Sequence, residues 1–527
     1  MNAQPTLHSG PRRRLAAALL ALLSLAPLAP RAAQIRPPPA AAPNLPTLGD
    51  TERQDLSPAF ERKLGEEIMR DIRGDHDYLD DAPILEYLNE FGNALVAARP
   101  GVRGETSFDF FFFAVRDTQL NAFALPGGFI AVHSALLLAA QSESELASVL
   151  SHEIGHVAQR HIARMLGQQR QDMLIPLAAM VLAALASRAG GDAAIGVFAA
   201  GQGLAIQRQL NFGRDAEREA DRIGFQIMGE AGFDTSGMVA FFGRMQAASR
   251  SYSDLTPAYL QSHPLTTERI ADIQARIREQ PYRQRADSLD FQLVRARARV
   301  LQDESSQGLA EATTFFQIQL EQPSRFQQAA GQYGLAVIAL KRGELAKAQQ
   351  WLDAARASVA RPAAPGTFSA AAPAPQPDTI LTGMALEILL APNQPPAVAQ
   401  RALRAADAAH QQFPLARGIA RQYAEALLGA GKQEEAARYL REQVQLYREE
   451  PKLYKLLAKT YAAQGKMALQ HMALAESYEL SGASLAALDQ LVIARKASDA
   501  GFYEMAVIDA RERELQERRR EQLKEKK

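Results

Sequence analysis

From Ser57 onward the apolar residues recur at three- and four-residue spacing, first in "SPAFERKLGEEIMRDI" and then in "APILEYLNEFGNALVAA". That period lines one face of a helix, so two amphipathic helices are expected at the start of a domain. The pattern then changes. Phe108 to Val115 is a short aromatic run, and Gly127-Gly128 marks a tight turn before the apolar "FIAV". Two or three strands of a small sheet fit this stretch. Helical spacing returns in "SESELASVLSHEIGHVAQRHIARMLG", with a capping box at Ser142 and Glu145 and a stop at Gly167. Met173 to Gln207 is very apolar, but its first run is short for a membrane span and Gly190-Gly191 breaks it. It is read either as a buried helical hairpin or as a lid or membrane-touching element. Further helices are expected in "NFGRDAEREADRIGFQIMGEAG", "FDTSGMVAFFGRM" and "QSHPLTTERIADIQARI".

From about Tyr282 the strand signals vanish. "GLAVIALKRGELAKAQQWLDAA", "YAEALLGAGKQEEAARYLREQ" and "LAKTYAAQGKMALQHMALAES" each read as helix, Gly-centred turn, helix. Gly431 and Gly465 lie 34 residues apart, the period of a tetratricopeptide repeat. Gly343 opens a matching unit, and looser pairs follow around Gly482 and Gly501. The Ala/Pro-rich stretch 361–378 is expected to be an insertion without a packed core, and the charged C-terminus a solvated helical tail.

Composition narrows the chemistry. The chain has 59 basic and 59 acidic side chains, and no basic patch with interleaved aromatics, so nucleic acid is not an expected partner. There is no cysteine, so a bound metal would rest on His and carboxylate ligands. Arg12, Arg13 and Arg14 precede the apolar run "LAAALLALLSLAPLAP", and small residues follow in "PRAAQ". This predicts a secretory signal over 1–33, cut between Ala29 and Gln34, and a proline-rich linker over 34–50. The expected domains are then 51–281 and the repeat region 282–527.

The chemistry concentrates in "HEIGH", residues 152–156. On a helix, residues four apart share a face, so His152 and His156 can turn their rings toward one ion. Glu153 projects beside them, placed to move a proton without occupying the metal. The extended motif that adds Gly and a third His is absent, since Gln159 and Ile162 stand at those positions. His161, five residues past His156, is expected to point away from the metal side. The third ligand is instead sought in "AEREAD". Glu217 and Asp221 share a helix face, which suits a ligand and a carboxylate that orients a ligating histidine, whereas Glu219 points elsewhere. Taken without the His pair, "RDAEREADR" would be a surface charge cluster.

His-Glu-x-x-His followed by Glu-x-x-x-Asp on a later helix resembles the zinc metallopeptidases that include the CAAX prenyl protease. The similarity extends through "NAFALPGGFIAVHSALL", "EREADRIG", "SHPLTTERI" and the repeats. The exported bacterial members of that family join the peptidase domain to tetratricopeptide repeats. The resemblance implies a mostly α protein, with a zincin-like α+β metallopeptidase domain carrying a small β-sheet, then an all-α repeat solenoid. It implies one Zn2+ per chain on His152, His156 and Glu217, with Glu153 as base. His263 is implied as a residue able to take the fourth metal position or to steady an oxyanion, and Arg269 as electrostatic support. The strand near Phe123 to Val132 is implied as the edge that takes an extended peptide. The resemblance also implies a periplasmic protease with a chaperone-like role, acting on misfolded or stalled outer-membrane β-barrel proteins. Its repeats would meet the barrel-assembly machinery, and peripheral membrane contact stays open. The alternative is a latched or inactive peptidase serving as a repeat-based adaptor.

Overall fold

Strand residues alternate between two faces, and here both faces are covered, which organises the first half of the chain. The computed structural model describes residues 57–106, 108–167, 214–251, 258–281, 283–361 and 378–525. The expected signal, the linker, the apolar segment 173–207 and the interior of the stretch 361–378 lie outside the described residues. The described residues all fall within one compact unit.

Helices α1 (Pro58–Gly74) and α2 (Ala82–Ala98) follow the expected periodicity, and Ser57 and Asp81 cap them through their side chains. The sheet has three strands: β1 (Phe111–Val115), β2 (Ala122–Leu125) and β3 (Phe129–His133). Their order is β1-β3-β2, with β3 parallel to β1 and antiparallel to β2. Phe113, Val115, Leu125, Phe129 and Ala131 pack on one face against Leu64, Ile68, Met69 and Ile72 of α1. Phe112, Ala114, Ile130 and Val132 face the main core on the other side.

That main core holds α2, α3 (Ser134–Ala139), α4 (Glu143–Ala158), α6 (Arg214–Glu230), α7 (Ser236–Ser251) and α9 (Thr267–Arg278). Two short helices, α5 (His161–Gly167) and α8 (Ala258–Ser262), complete this part. The long helix expected from Glu143 to Gly167 is in fact two, α4 and α5, broken by Arg160 at φ +51°. Pattern alone missed the break because neither Gly nor Pro marks it.

The core continues without interruption through α10 (Leu289–Gln302), α11 (Ser306–Leu320), α12 (Arg325–Lys341), α13 (Leu345–Ala360) and α14 (Thr379–Leu389). Then come α15 (Pro396–Gln412), α16 (Arg417–Gly429), α17 (Gln433–Leu446), α18 (Pro451–Ala463), α19 (Met467–Leu480), α20 (Ser484–Arg495) and α21 (Phe502–Glu525). Gly343, Gly431, Gly465 and Gly482 have φ between 72° and 77°, so the turns between paired helices use the left-handed backbone that glycine adopts without strain. Smaller apolar clusters hold neighbouring pairs together.

The C-terminal helices and the loops between them also bond the segment α1–α2. Arg421 and Lys452 reach Asp80, Arg73 reaches Glu449, and the Gly418 amide donates to Glu86. Among the described residues no helix is long and apolar enough to cross a membrane.

Candidate metal centre

Helix α4 carries His152, Glu153 and His156, and α6 crosses it carrying Glu217 and Asp221. The segment after α8 adds His263, and the first turn of α9 adds Arg269. All seven side chains are buried. Each of His152, His156, Glu217 and His263 offers one donor atom, and the four atoms lie within 4.8 Å of one another.

The separations are informative. His156 Nε2 is 3.0 Å from His152 Nε2, and His263 Nδ1 is 3.3 Å from His152 Nε2. Glu217 comes within 3.5, 3.4 and 3.1 Å of His152, His156 and His263 in turn. Ligand bonds of about 2.0–2.2 Å set tetrahedrally place neighbouring donors roughly 3.3–3.6 Å apart. Three imidazoles and a carboxylate at this spacing, with the lone pairs converging out of reach of water, fit a metal ion.

The surrounding bonds fix these donors. Asp221 Oδ1 lies 2.9 Å from His152 Nδ1, on the ring edge away from the cluster. Arg269 grips the same carboxylate through Nε and Nη2 at 2.6 and 2.8 Å, and Nη1 reaches Glu217 at 2.8 Å. It also donates to the Pro264 carbonyl at 2.8 Å, beside His263. Arg269 thus ties both carboxylates of α6 to the segment that carries His263.

Electrostatics follow from burial and these partners. Burial alone would lower His152, but Asp221 and Glu217 outweigh it and hold the ring up at about 9. Burial would raise Glu217, yet His263 and His152 keep it well below the usual carboxylate range. Glu153 is different. Burial dominates and pushes its carboxyl up, with His263 and His152 only partly opposing. His263 Nε2 lies 3.4 Å from Glu153 Oε1, and the Ala124 amide of β2 approaches the carboxylate from the sheet.

His161 departs from the sequence-based expectation. It lies behind His156, with Nδ1 at 2.8 Å from His156 Nδ1, and its Nε2 meets Glu219 at 3.1 Å. Glu219 points away from the donor cluster, as its helix face dictates, but toward His161 rather than into solvent alone. Burial pushes His156 well down and His161 down to about 4, so both rings are neutral near pH 7. Tyr259 was not singled out by sequence either. Its buried ring lies 4.8 Å from that of His263, and its hydroxyl has no hydrogen-bond partner among the described residues.

Among the described residues β1 and β2 are the edge strands and β3 is the central one. The expected edge over Phe123 to Val132 therefore reduces to Ala122–Leu125. Away from the centre, a cavity of about 730 Å³ opens between the start of α2 and helices α14, α16, α18 and α19.

A buried donor set of this kind, beside a carboxylate whose burial readies it to hold a proton, defines a metallopeptidase. The comparisons with known proteins agree. The signature of peptidase family M48 matches residues 86–277. The chain is 31% identical over 96% of its length, and 98% of the relative's, to the beta-barrel assembly-enhancing protease of Escherichia coli strain K12. It is 32% identical to the Yersinia pestis protein of that name, over 89% of this chain and 90% of that one. A more distant relative is the mitochondrial metalloendopeptidase OMA1 of Schizosaccharomyces pombe, 29% identical over 42% of this chain and 62% of the relative. The chain belongs to peptidase family M48.

Proposed function

We propose that this metallopeptidase is a zinc endopeptidase of the bacterial periplasm, acting on outer-membrane β-barrel proteins that stall or misfold during assembly. The observation that carries the enzymatic part is the convergence of His152, His156, Glu217 and His263 beside Glu153. The barrel-assembly part rests on what the relatives are named for and on their match over nearly the whole chain. The periplasmic location rests on the secretory pattern of residues 1–33. Two or three imidazoles with one carboxylate and no thiolate suit zinc.

Zinc held there would act as a Lewis acid toward the attacking water and the scissile carbonyl. The chain's own residues do the rest. Glu153 takes a proton during attack and returns one to the leaving amine, and its raised pKa suits both transfers. Asp221 holds the His152 ring in one tautomer, and Arg269 holds Asp221 and Glu217 in place. The edge strand β2 offers backbone groups to an extended peptide, with Ala124 close to Glu153.

A catalytic zinc keeps one position open, and four protein donors close it. We read His263 as a latch that must leave the donor set before substrate enters. Once displaced, it is placed to steady the oxyanion. The repeat helices and the cavity beside α2 support docking of a substrate or of the assembly machinery.

The test is casein hydrolysis by the mature protein, run with metal content for wild type, Glu153→Gln and His263→Ala. Activity lost with zinc retained in Glu153→Gln, and raised in His263→Ala, supports a latched zinc peptidase. Absence of zinc and of hydrolysis in all three would leave the adaptor as the function.

A further inference from the structure

In a continuous helix, five residues turn about 500°, so His161 would sit roughly 140° around from His156 and face away. The chain avoids this. Arg160 takes the left-handed backbone at φ +51°, a conformation that costs a non-glycine residue energy and persists only where the surroundings hold it. Its side chain is held by an ion pair with Glu61 of α1, a buried carboxylate. The turn starts α5 at His161 and swings that ring back against His156.

The protons in this contact can be placed. Two imidazole nitrogens 2.8 Å apart, His161 Nδ1 and His156 Nδ1, need one proton between them. Glu219 only accepts when ionised, and Arg164 at 2.8 Å helps to keep it so. The carboxylate beside His161 Nε2 draws a ring proton to that atom. A His156 that ligates through Nε2 carries its own proton on Nδ1, so His161 Nδ1 is the acceptor of the shared proton. The remaining lone pair of His156 is then on Nε2, the atom that faces His152 and Glu217.

We propose that His161 is a positioning residue of the metal centre: oriented by Glu219 and by the turn at Arg160, it accepts a hydrogen bond from His156 and holds the Nε2 lone pair of that ligand toward the metal. Asp221 does the same for His152, so each ligand of the His-Glu-x-x-His motif has its own carboxylate, one direct and one relayed through a ring. The inference rests on His156 being a ligand.

The experiment is a zinc dissociation constant by chelator competition on the full chain, for wild type and three variants. His161→Ala should weaken binding by roughly 10- to 100-fold, the usual cost of losing such a partner. His161→Asn places an acceptor oxygen where Nδ1 stood and should recover most of that loss. Glu219→Ala, at a half-exposed position that does not threaten folding, should weaken binding in the same direction by less. Zinc affinity unchanged in His161→Ala and Glu219→Ala, or Asn no better than Ala at 161, would overturn the inference while leaving the metal centre intact. Wild-type protein that takes up no zinc would overturn the metal centre itself, and the inference with it.

Discussion

Gly155, inside the His-Glu-x-x-His motif, packs so closely on Ala220 that a Cβ at 155 would lie 2.9 Å from the Ala220 carbonyl oxygen. Gly224 of α6 makes the reciprocal approach, since a Cβ there would stand 2.9 Å from the His152 amide. The two glycines let α4 and α6 cross almost backbone to backbone. Glu217 thereby comes within reach of both histidines.

Gly155→Ala should force the helices apart, destabilise the fold by about 1–3 kcal/mol and weaken metal binding. Thermal unfolding and zinc competition measure the two effects. Undiminished metal affinity would show that the close crossing is not what sets the donor spacing.

Asp221→Asn keeps the shape but replaces one acceptor oxygen by an NH2 group, which meets either His152 Nδ1 or Arg269 with the wrong polarity. Zinc affinity should fall by roughly 10- to 100-fold, with peptidase activity falling at limiting metal. Full activity restored by excess zinc would confine the role of Asp221 to ligand orientation.

Arg297 is buried and bonds Asp81, Glu387 and the Tyr333 hydroxyl at 2.7, 2.9 and 3.1 Å, joining α10 to the start of α2, to α14 and to α12. Arg297→Met leaves two carboxylates without their cation. The expected cost is about 3–5 kcal/mol, read from denaturant unfolding. A loss below 1 kcal/mol would mean that water or a neighbouring side chain takes over.

Asp290 of α10 faces Asp378, the N-cap of α14. Burial, then the charges of Asp378 and Glu90, push Asp290 up to about 7. A carboxyl whose folded pKa exceeds its unfolded value stabilises the fold fully at low pH and loses that contribution as pH rises through the folded pKa. Between pH 5 and 8 the wild-type melting temperature should therefore fall relative to Asp290→Asn. Parallel curves for the two proteins would refute the assignment.

Much of the fold was legible in the pattern. Helical periodicity located α1 and α2, the aromatic run located the sheet, and the 34-residue glycine spacing located the interhelical turns that Gly431 and Gly465 make. The helix faces of His152, His156, Glu217 and Asp221 were legible too, because i, i+4 geometry follows from the helix alone. The break at Arg160 was not, since an arginine carries no local signal for a left-handed backbone. Its partner Glu61 stands 99 residues away.

By itself, then, the sequence determined the elements and the helix faces that carry His152, His156, Glu217 and Asp221, because these depend on neighbours within one or two turns of chain. The resemblance named His263, but only the tertiary structure brings its ring to the other donors, lets Arg269 bind both Glu217 and Asp221, and sets His161 against His156 and Glu219. Each of these depends on where separate helices cross, and crossings are set by packing between residues far apart in the chain. The same physics explains why β2 is an edge strand and β3 the central one among the described residues. Local pattern names a strand, but only the pairing of all three decides which lies in the middle.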